Sequence, residues 1–141
     1  SLRFIGNRDV LDRKIQEMMA TIERETCGGQ EMVVTIAFNY GGREEILHGI
    51  REIAEEVKSG TLNSNDIDEA CVLAHLYTKN MPDPDLIIRT SGEFRTSNFL
   101  LWQSAYSEYY ITDVLWPDFQ EKDLLEAITT YNQRNRRFGG V

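Results

Sequence analysis

An α/β fold with a largely parallel central sheet flanked by helices is predicted from three observations. Short apolar runs rich in Val, Ile and Thr, "EMVVTIAF" and "LIIRT", have the length and composition of buried strands. Between them lie longer segments whose apolar residues recur every three or four positions, as on one face of a helix. These signals alternate along the chain without a repeat, low-complexity tract or linker, which predicts a single domain over residues 1–141.

Taken in order, "SLRFIG" reads as a short strand with nothing ahead of it, so the sheet looks incomplete. Asp9–Thr26 places Leu11, Ile15, Met18, Met19 and Ile22 on one helical face, and the Met pair reads as core. "CGG" then supplies a glycine stop. Strand Glu31–Phe38 runs into the turn "NYGG", and a helix over Glu44–Lys58 turns Ile46, Ile50, Ile53 and Val57 inward. Asn65 can cap a helix over Asp66–Tyr77, with Asp68 at the capping-box position. "MPDPD" breaks the chain before "LIIRT". An irregular Ser/Gly segment, a helical run near Asn98–Tyr106 and a strand at Tyr109–Val114 come next. "WPDF" makes a turn in which Asp118 is placed to cap the last helix, over Glu121–Arg136, and that helix closes the chain.

The composition sets outer bounds on function. At 141 residues the chain can bury a core, and its net charge of −8 argues against an extended nucleic-acid footprint. No apolar run is long enough for a transmembrane helix, and the N-terminus lacks a signal-peptide core. Cys27 and Cys71 have no metal-ligand spacing and read as small apolar fillers in a reducing compartment, which makes the cytoplasm the default location. Catalytic patterns built on Ser-His-Asp, HExxH, a P-loop or GxGxxG are missing, and His48 and His75 stand alone on helices.

Ligands of open α/β sheets gather at the carboxyl ends of the strands, which singles out two places. The first is "NYGGR" (Asn39–Arg43), readable as an anion-contacting turn or as an ordinary strand-to-helix connection. The second is "IIRTSGEFRTSN". Arg89 ends a buried strand, Gly92 permits a sharp turn, and Arg95, Ser97 and the amides near Asn98 come after it at an expected helix start. Two guanidiniums, a hydroxyl and a helix N-terminus make a site for a phosphate or diphosphate. The alternative pairs Arg89 or Arg95 with Glu93 or Asp85. Glu108, among aromatics just before a strand, needs a partner: a metal ion on diphosphate oxygens, or an arginine. The basic cluster in "NQRNRRFGG" either balances the last helix dipole or contacts an anion.

The block "DLIIRTSGEFRTSNFLLWQSAYSEYYITDVLWPDF" resembles the long C-terminal motif of the cis-prenyltransferases, nearest to bacterial undecaprenyl diphosphate synthase. "LRFIG", "FNYGGREEI" and "RRFGG" stand where that family has similar segments, so the resemblance covers essentially the whole chain. It implies repeated cis condensation of isopentenyl diphosphate with an allylic diphosphate, farnesyl diphosphate, to a long polyprenyl diphosphate that carries cell-wall sugars. It implies Arg89, Arg95 and Ser97 as holders of the isopentenyl diphosphate, and Glu108 as an acidic residue associated with Mg2+. Arg137 and Gly139 match a motif that reaches across a homodimer interface to the partner's diphosphate site. A greasy product implies peripheral membrane contact.

The family's Asp-Gly-Asn-Gly-Arg-Trp segment and the Asn/Trp/Arg segment after it do not occur in these 141 residues. The resemblance therefore implies a C-terminal portion that keeps the isopentenyl diphosphate half-site and is inactive alone. Asn7 and Phe94 are smaller departures. The alternative is a non-catalytic partner subunit of a heteromeric enzyme, against which the retention of Arg89, Arg95, Ser97 and Glu108 argues. An in-frame upstream Asp-Gly-Asn-Gly-Arg-Trp segment would favour an enzyme.

Overall fold

The computed structural model describes residues 1–29 and 31–134. The chain divides into two compact units, Ser1–Met81 and Pro82–Val141. Each is built around a parallel strand pair with helices, the α/β class that the alternating pattern predicts.

In the first unit, β1 (Leu2–Ile5) and β2 (Val34–Ala37) pair in parallel from Leu2↔Val34 to Ile5↔Ala37. Helix α1 (Arg13–Thr26) connects them, starting where the Asp12 carboxylate accepts from the Lys14 amide at 2.8 Å. Met19 is buried, whereas Met18, one position round the helix, is exposed, so only half of the expected Met pair is core. The outer edge of β1 is capped by α1 side chains: the Leu2 amide donates to Thr26 Oγ1 and the Phe4 amide to Glu23 Oε1, both at 2.9 Å. Arg8 adds a bond to Glu23, whose carboxyl is held below the usual range chiefly by that guanidinium.

Helix α2 (Gly42–Ser59) ends on Gly60, left-handed at φ 79°, whose amide bonds the Glu56 and Val57 carbonyls. Its first turn buries Glu45 completely. That carboxylate accepts from Tyr40 OH at 2.5 Å and from the Tyr77 amide at 2.8 Å. A buried carboxyl group bonded this way fixes the turn before α2 against the segment after α3 (Glu69–Ala74). The helix expected over Asp66–Tyr77 is shorter because Asp68 is extended (φ −121°, ψ −175°) and is itself the N-cap, accepting from the Cys71 amide. A 3₁₀ turn at Ser64–Asp66 precedes it, and Asn63 caps that turn. Cys27 and Cys71 are free thiols; Cys27 is exposed and therefore no core filler.

In the second unit, β3 (Leu86–Arg89) and β4 (Glu108–Ile111) pair in parallel, from Leu86↔Glu108 to Arg89↔Ile111. Side chains alternate across the sheet, so Ile87 and Arg89 share a face with Tyr109 and Ile111, and Leu86 and Ile88 share the other with Glu108 and Tyr110. Helix α4 (Glu121–Gln133) serves the second face: Tyr110 bonds Glu126, and Glu108 bonds Arg134 at the helix end. The reciprocal cap of α4 is made by Gln120 and Asp123 rather than Asp118, which lies in a 3₁₀ turn, Trp116–Asp118.

The helix expected near Asn98–Tyr106 does not form. Ser97, Asn98 and Leu100 have φ of 50°, 63° and 45°, which no right-handed helix accommodates. Successive turns replace it, held by bonds such as Ser104 amide to Leu100 carbonyl at 2.9 Å. No described helix is long and apolar enough to cross a membrane.

Candidate functional site: the carboxyl end of β3

Arg89 closes β3, so its side chain leaves the sheet at the carboxyl edge. The next residues fold back along the segment after β4: the Ser91 amide donates to the Val114 carbonyl and the Gly92 amide to the Thr112 carbonyl, each at 2.9 Å. Gly92 has φ 63°, and a Cβ there would lie 2.7 Å from Asp113 Oδ1, so the sharp turn needs glycine. Ser91, Ser97, Asn98 and Leu100 are all left-handed, four of the six such non-glycine residues among those described. Backbone strain concentrated in one loop of ten residues marks it as held for a purpose other than local comfort.

That loop returns Ser97 to Arg89, with Arg89 Nη2 3.4 Å from Ser97 Oγ. The contact is long, a loose pair that phosphate oxygens can displace. Among the described residues Arg89 has no carboxylate partner. Arg95 differs: it pairs with Glu93, the alternative that sequence left open. The Arg95 side chain is 63% exposed, so this ion pair is weak and exchangeable. Arg89 and Ser97 are thus brought together at one strand end, and Arg95 stands in the same loop in the hands of Glu93. The helix N-terminus expected to join them is not there.

Glu108 is not part of this group. It begins β4 on the face opposite Arg89, three residues or about 10 Å away along the strands. Its Oε2 accepts from Arg134 Nη1 at 2.7 Å, so its partner is an arginine. Among the described residues no cluster of three or more His, Cys, Asp or Glu side chains could hold a metal. Within this chain Glu108 and Arg89 thus stand on opposite faces of the strand pair. Arg137 and Gly139 lie outside the described residues.

"NYGGR" proves to be a stitched turn. The Asn7 amide donates to the Asn39 carbonyl at 3.1 Å, and Asn39 Nδ2 returns a bond to the Asn7 carbonyl at 2.8 Å. The chain's own groups fill that strand end.

Sequence reasoning passed over one feature. A cavity of about 280 Å³ with almost wholly apolar walls is lined by Phe94, Arg95, Thr96, Tyr109 and Ile111. The only sequence signal was an aromatic between the acid and the base of "GEFR".

A family model for undecaprenyl diphosphate synthases, a group of prenyltransferases, matches residues 1–139. Proteins named isoprenyl transferase are similar over 99% of the chain: that of Prochlorococcus marinus at 49% identity and that of Bacillus subtilis at 46%. The chain spans about half the length of these relatives, 52% and 54%. Among solved structures, lavandulyl diphosphate synthase from Lavandula x intermedia, in complex with dimethylallyl diphosphate, matches 99% of the chain with 42% identity and a TM-score of 0.94. A probable undecaprenyl diphosphate synthase from Campylobacter jejuni matches 98% with 31% identity and a TM-score of 0.82. The chain covers 60% and 62% of those structures.

Proposed function

We propose, from the premise that the chain belongs to the undecaprenyl diphosphate synthase family, that it serves cis-prenyl chain elongation as the isopentenyl diphosphate half-site. The observation that carries this reading is the meeting of Arg89 and Ser97 at the carboxyl edge of a parallel strand pair.

In the proposed reaction the C–O bond of an allylic diphosphate such as farnesyl diphosphate breaks, and its electron pair leaves with inorganic diphosphate. The double bond of isopentenyl diphosphate then attacks the allylic carbon, a proton is lost, and the product is one isoprene unit longer. The part played by this chain is to bind and orient. Arg89 offers planar, paired donors to the isopentenyl diphosphate, and Ser97 gives up its loose contact to donate to the same anion. Arg95 exchanges Glu93 for a diphosphate oxygen. Arg137 and Gly139 complete the set in the proposal, from a second copy in a homodimer. Holding the nucleophile at a fixed distance from the allylic carbon lowers the entropic part of the barrier, and no covalent nucleophile is needed.

Undecaprenyl diphosphate as product, magnesium as cofactor, a cytoplasmic setting and membrane contact through the lipid product belong to the same proposal for the whole protein. The 141 residues lack the Asp-Gly-Asn-Gly-Arg-Trp segment, so the chain alone binds isopentenyl diphosphate without elongating farnesyl diphosphate. Calorimetry with isopentenyl diphosphate, and incubation with farnesyl diphosphate, labelled isopentenyl diphosphate and magnesium, test both halves. Binding without elongation is expected. No saturable binding would refute the half-site, and polyprenyl product from the purified chain would refute its inactivity.

A further inference from the structure

We propose that Asp113 is a positioning residue of the diphosphate site: its carboxylate fills the space beside Gly92 and so holds the loop that brings Ser97 to Arg89. The inference rests on the diphosphate reading above and extends it to a residue after the neighbouring strand that does not itself hold the anion.

The segments that leave β3 and β4 run side by side. The Thr112 amide donates to the Arg89 carbonyl at 2.9 Å, which carries the ladder one residue past Arg89↔Ile111. The loop then turns back, and its Gly92 and Ser91 amides donate to the Thr112 and Val114 carbonyls, each at 2.9 Å. These two bonds straddle Asp113, and the Val114 amide closes the bend on Thr112 Oγ1 at 3.3 Å. With its backbone fixed on both sides, Asp113 directs its carboxylate at Gly92, where Oδ1 lies 2.7 Å from the place a Cβ would take. The volume that glycine leaves empty is filled from the opposite segment.

Ser97 depends on that packing. Ser91 and Gly92 are consecutive left-handed residues, φ 66° and 63°, and serine adopts that conformation against its own preference. The loop they launch returns to place Ser97 Oγ 3.4 Å from Arg89 Nη2. Without the carboxylate against it, Gly92 has room to relax, and a shift of about 1 Å is enough to spoil the geometry of a bound ligand.

Charge does not account for an acid at this place. A carboxylate near a diphosphate repels it, and Arg95 pairs with Glu93 instead of Asp113. Shape and charge therefore act in opposite directions on affinity. Asparagine keeps the shape and drops the charge, whereas alanine drops both. Asp113 is exposed, so neither change opens the core.

Calorimetry on the 141-residue chain with inorganic diphosphate and isopentenyl diphosphate separates the two effects. Asp113→Ala is expected to weaken both probes roughly tenfold although it removes a negative charge, and Asp113→Asn to bind at least as tightly as wild type. In a Ser97→Ala background, Asp113→Ala should cost less than about twofold, because the hydroxyl it positions is already gone. A merely structural role would not depend on Ser97 in this way. Wild-type or tighter binding by Asp113→Ala would overturn the inference, as would weak binding by Asp113→Asn or an undiminished loss in the Ser97→Ala background. Should urea denaturation show that Asp113→Ala does not fold, Asp113→Asn decides alone, by affinity at or above that of wild type or by its loss. Failure of the wild-type chain to bind either probe would remove the diphosphate reading and this inference with it.

Discussion

The two parallel strand pairs present the same kind of edge and use it differently. At the carboxyl end of β1 and β2, Asn7 and Asn39 bond each other's backbone, and Gly6 passes so close that a Cβ would lie 2.1 Å from the Phe38 carbonyl oxygen. At the carboxyl end of β3 and β4, the side-chain pair of Arg89 with Ser97 is loose, and the loop around it is strained. A closed edge holds strands together, whereas an open one is available to a ligand. The topological rule that ligands sit at strand ends names both places, and only the hydrogen-bond geometry separates them.

The comparison breaks first at Gly6. Gly6→Ala puts a methyl group into the Phe38 carbonyl at φ 121° and is expected to cost about 3 kcal/mol or more of stability. Urea denaturation measures this, and a loss below about 1 kcal/mol would mean that the closed edge is not tightly built. At the open edge the effects reverse. Arg89→Ala should weaken isopentenyl diphosphate binding by roughly 10- to 100-fold and leave stability within about 0.5 kcal/mol, because among the described residues the side chain of Arg89 has only the loose Ser97 contact to lose. A protein that unfolds on this change would make Arg89 a structural residue.

Smaller effects sharpen the contrast. Ser91→Gly relaxes a left-handed residue at φ 66° and should stabilise the chain by up to about 1 kcal/mol, measured as a raised urea midpoint; a lowered one would contradict the strain argument. Glu108→Gln should leave isopentenyl diphosphate affinity within about twofold, since Glu108 lies on the other face of the sheet with Arg134. A large loss in titrations of the isolated chain would place both groups on one ligand.

The smallest effect is a pH dependence in the first unit. His75 lies between the Cys71 carbonyl at 2.7 Å and Glu56 at 3.2 Å, and the carbonyl first, then the carboxylate, raise its pKa above the ordinary 6.5. A raised folded-state pKa contributes stability that is complete below the unfolded value and is lost as pH rises through the folded one. Stability should therefore fall slightly above about pH 6.5, and His75→Gln should flatten that slope; an unaltered slope would place the titration elsewhere.

Much of the fold was legible because strands and helices announce themselves by period and composition. Of the expected strand Glu31–Phe38 only Val34–Ala37 forms, "LIIR" holds as β3, and α2 spans the expected Glu44–Lys58 with Ile53 buried as expected but Ile50 exposed. The failures share one cause, local backbone geometry that apolar spacing does not encode. Asn98–Tyr106 has the periodicity of a helix, but Ser97, Asn98 and Leu100 are held left-handed by the loop they close. Asp68 looked like the third residue of a helix and instead begins one. In the candidate site, Arg89, Ser97 and Gly92 could be named from their place after a strand. The opposite placement of Glu108 depends on strand register, and the buried role of Glu45 on two tyrosines at its flank; neither is written in a linear pattern.

The central claim is that Arg89 and Ser97 act on one bound diphosphate. A double-mutant cycle on isopentenyl diphosphate affinity, with Arg89→Ala, Ser97→Ala and the pair measured by calorimetry, tests it most directly. Groups that hold the same anion should couple by about 1 kcal/mol or more. Strictly additive losses, or a Ser97→Ala chain that binds as wild type does, would contradict the account.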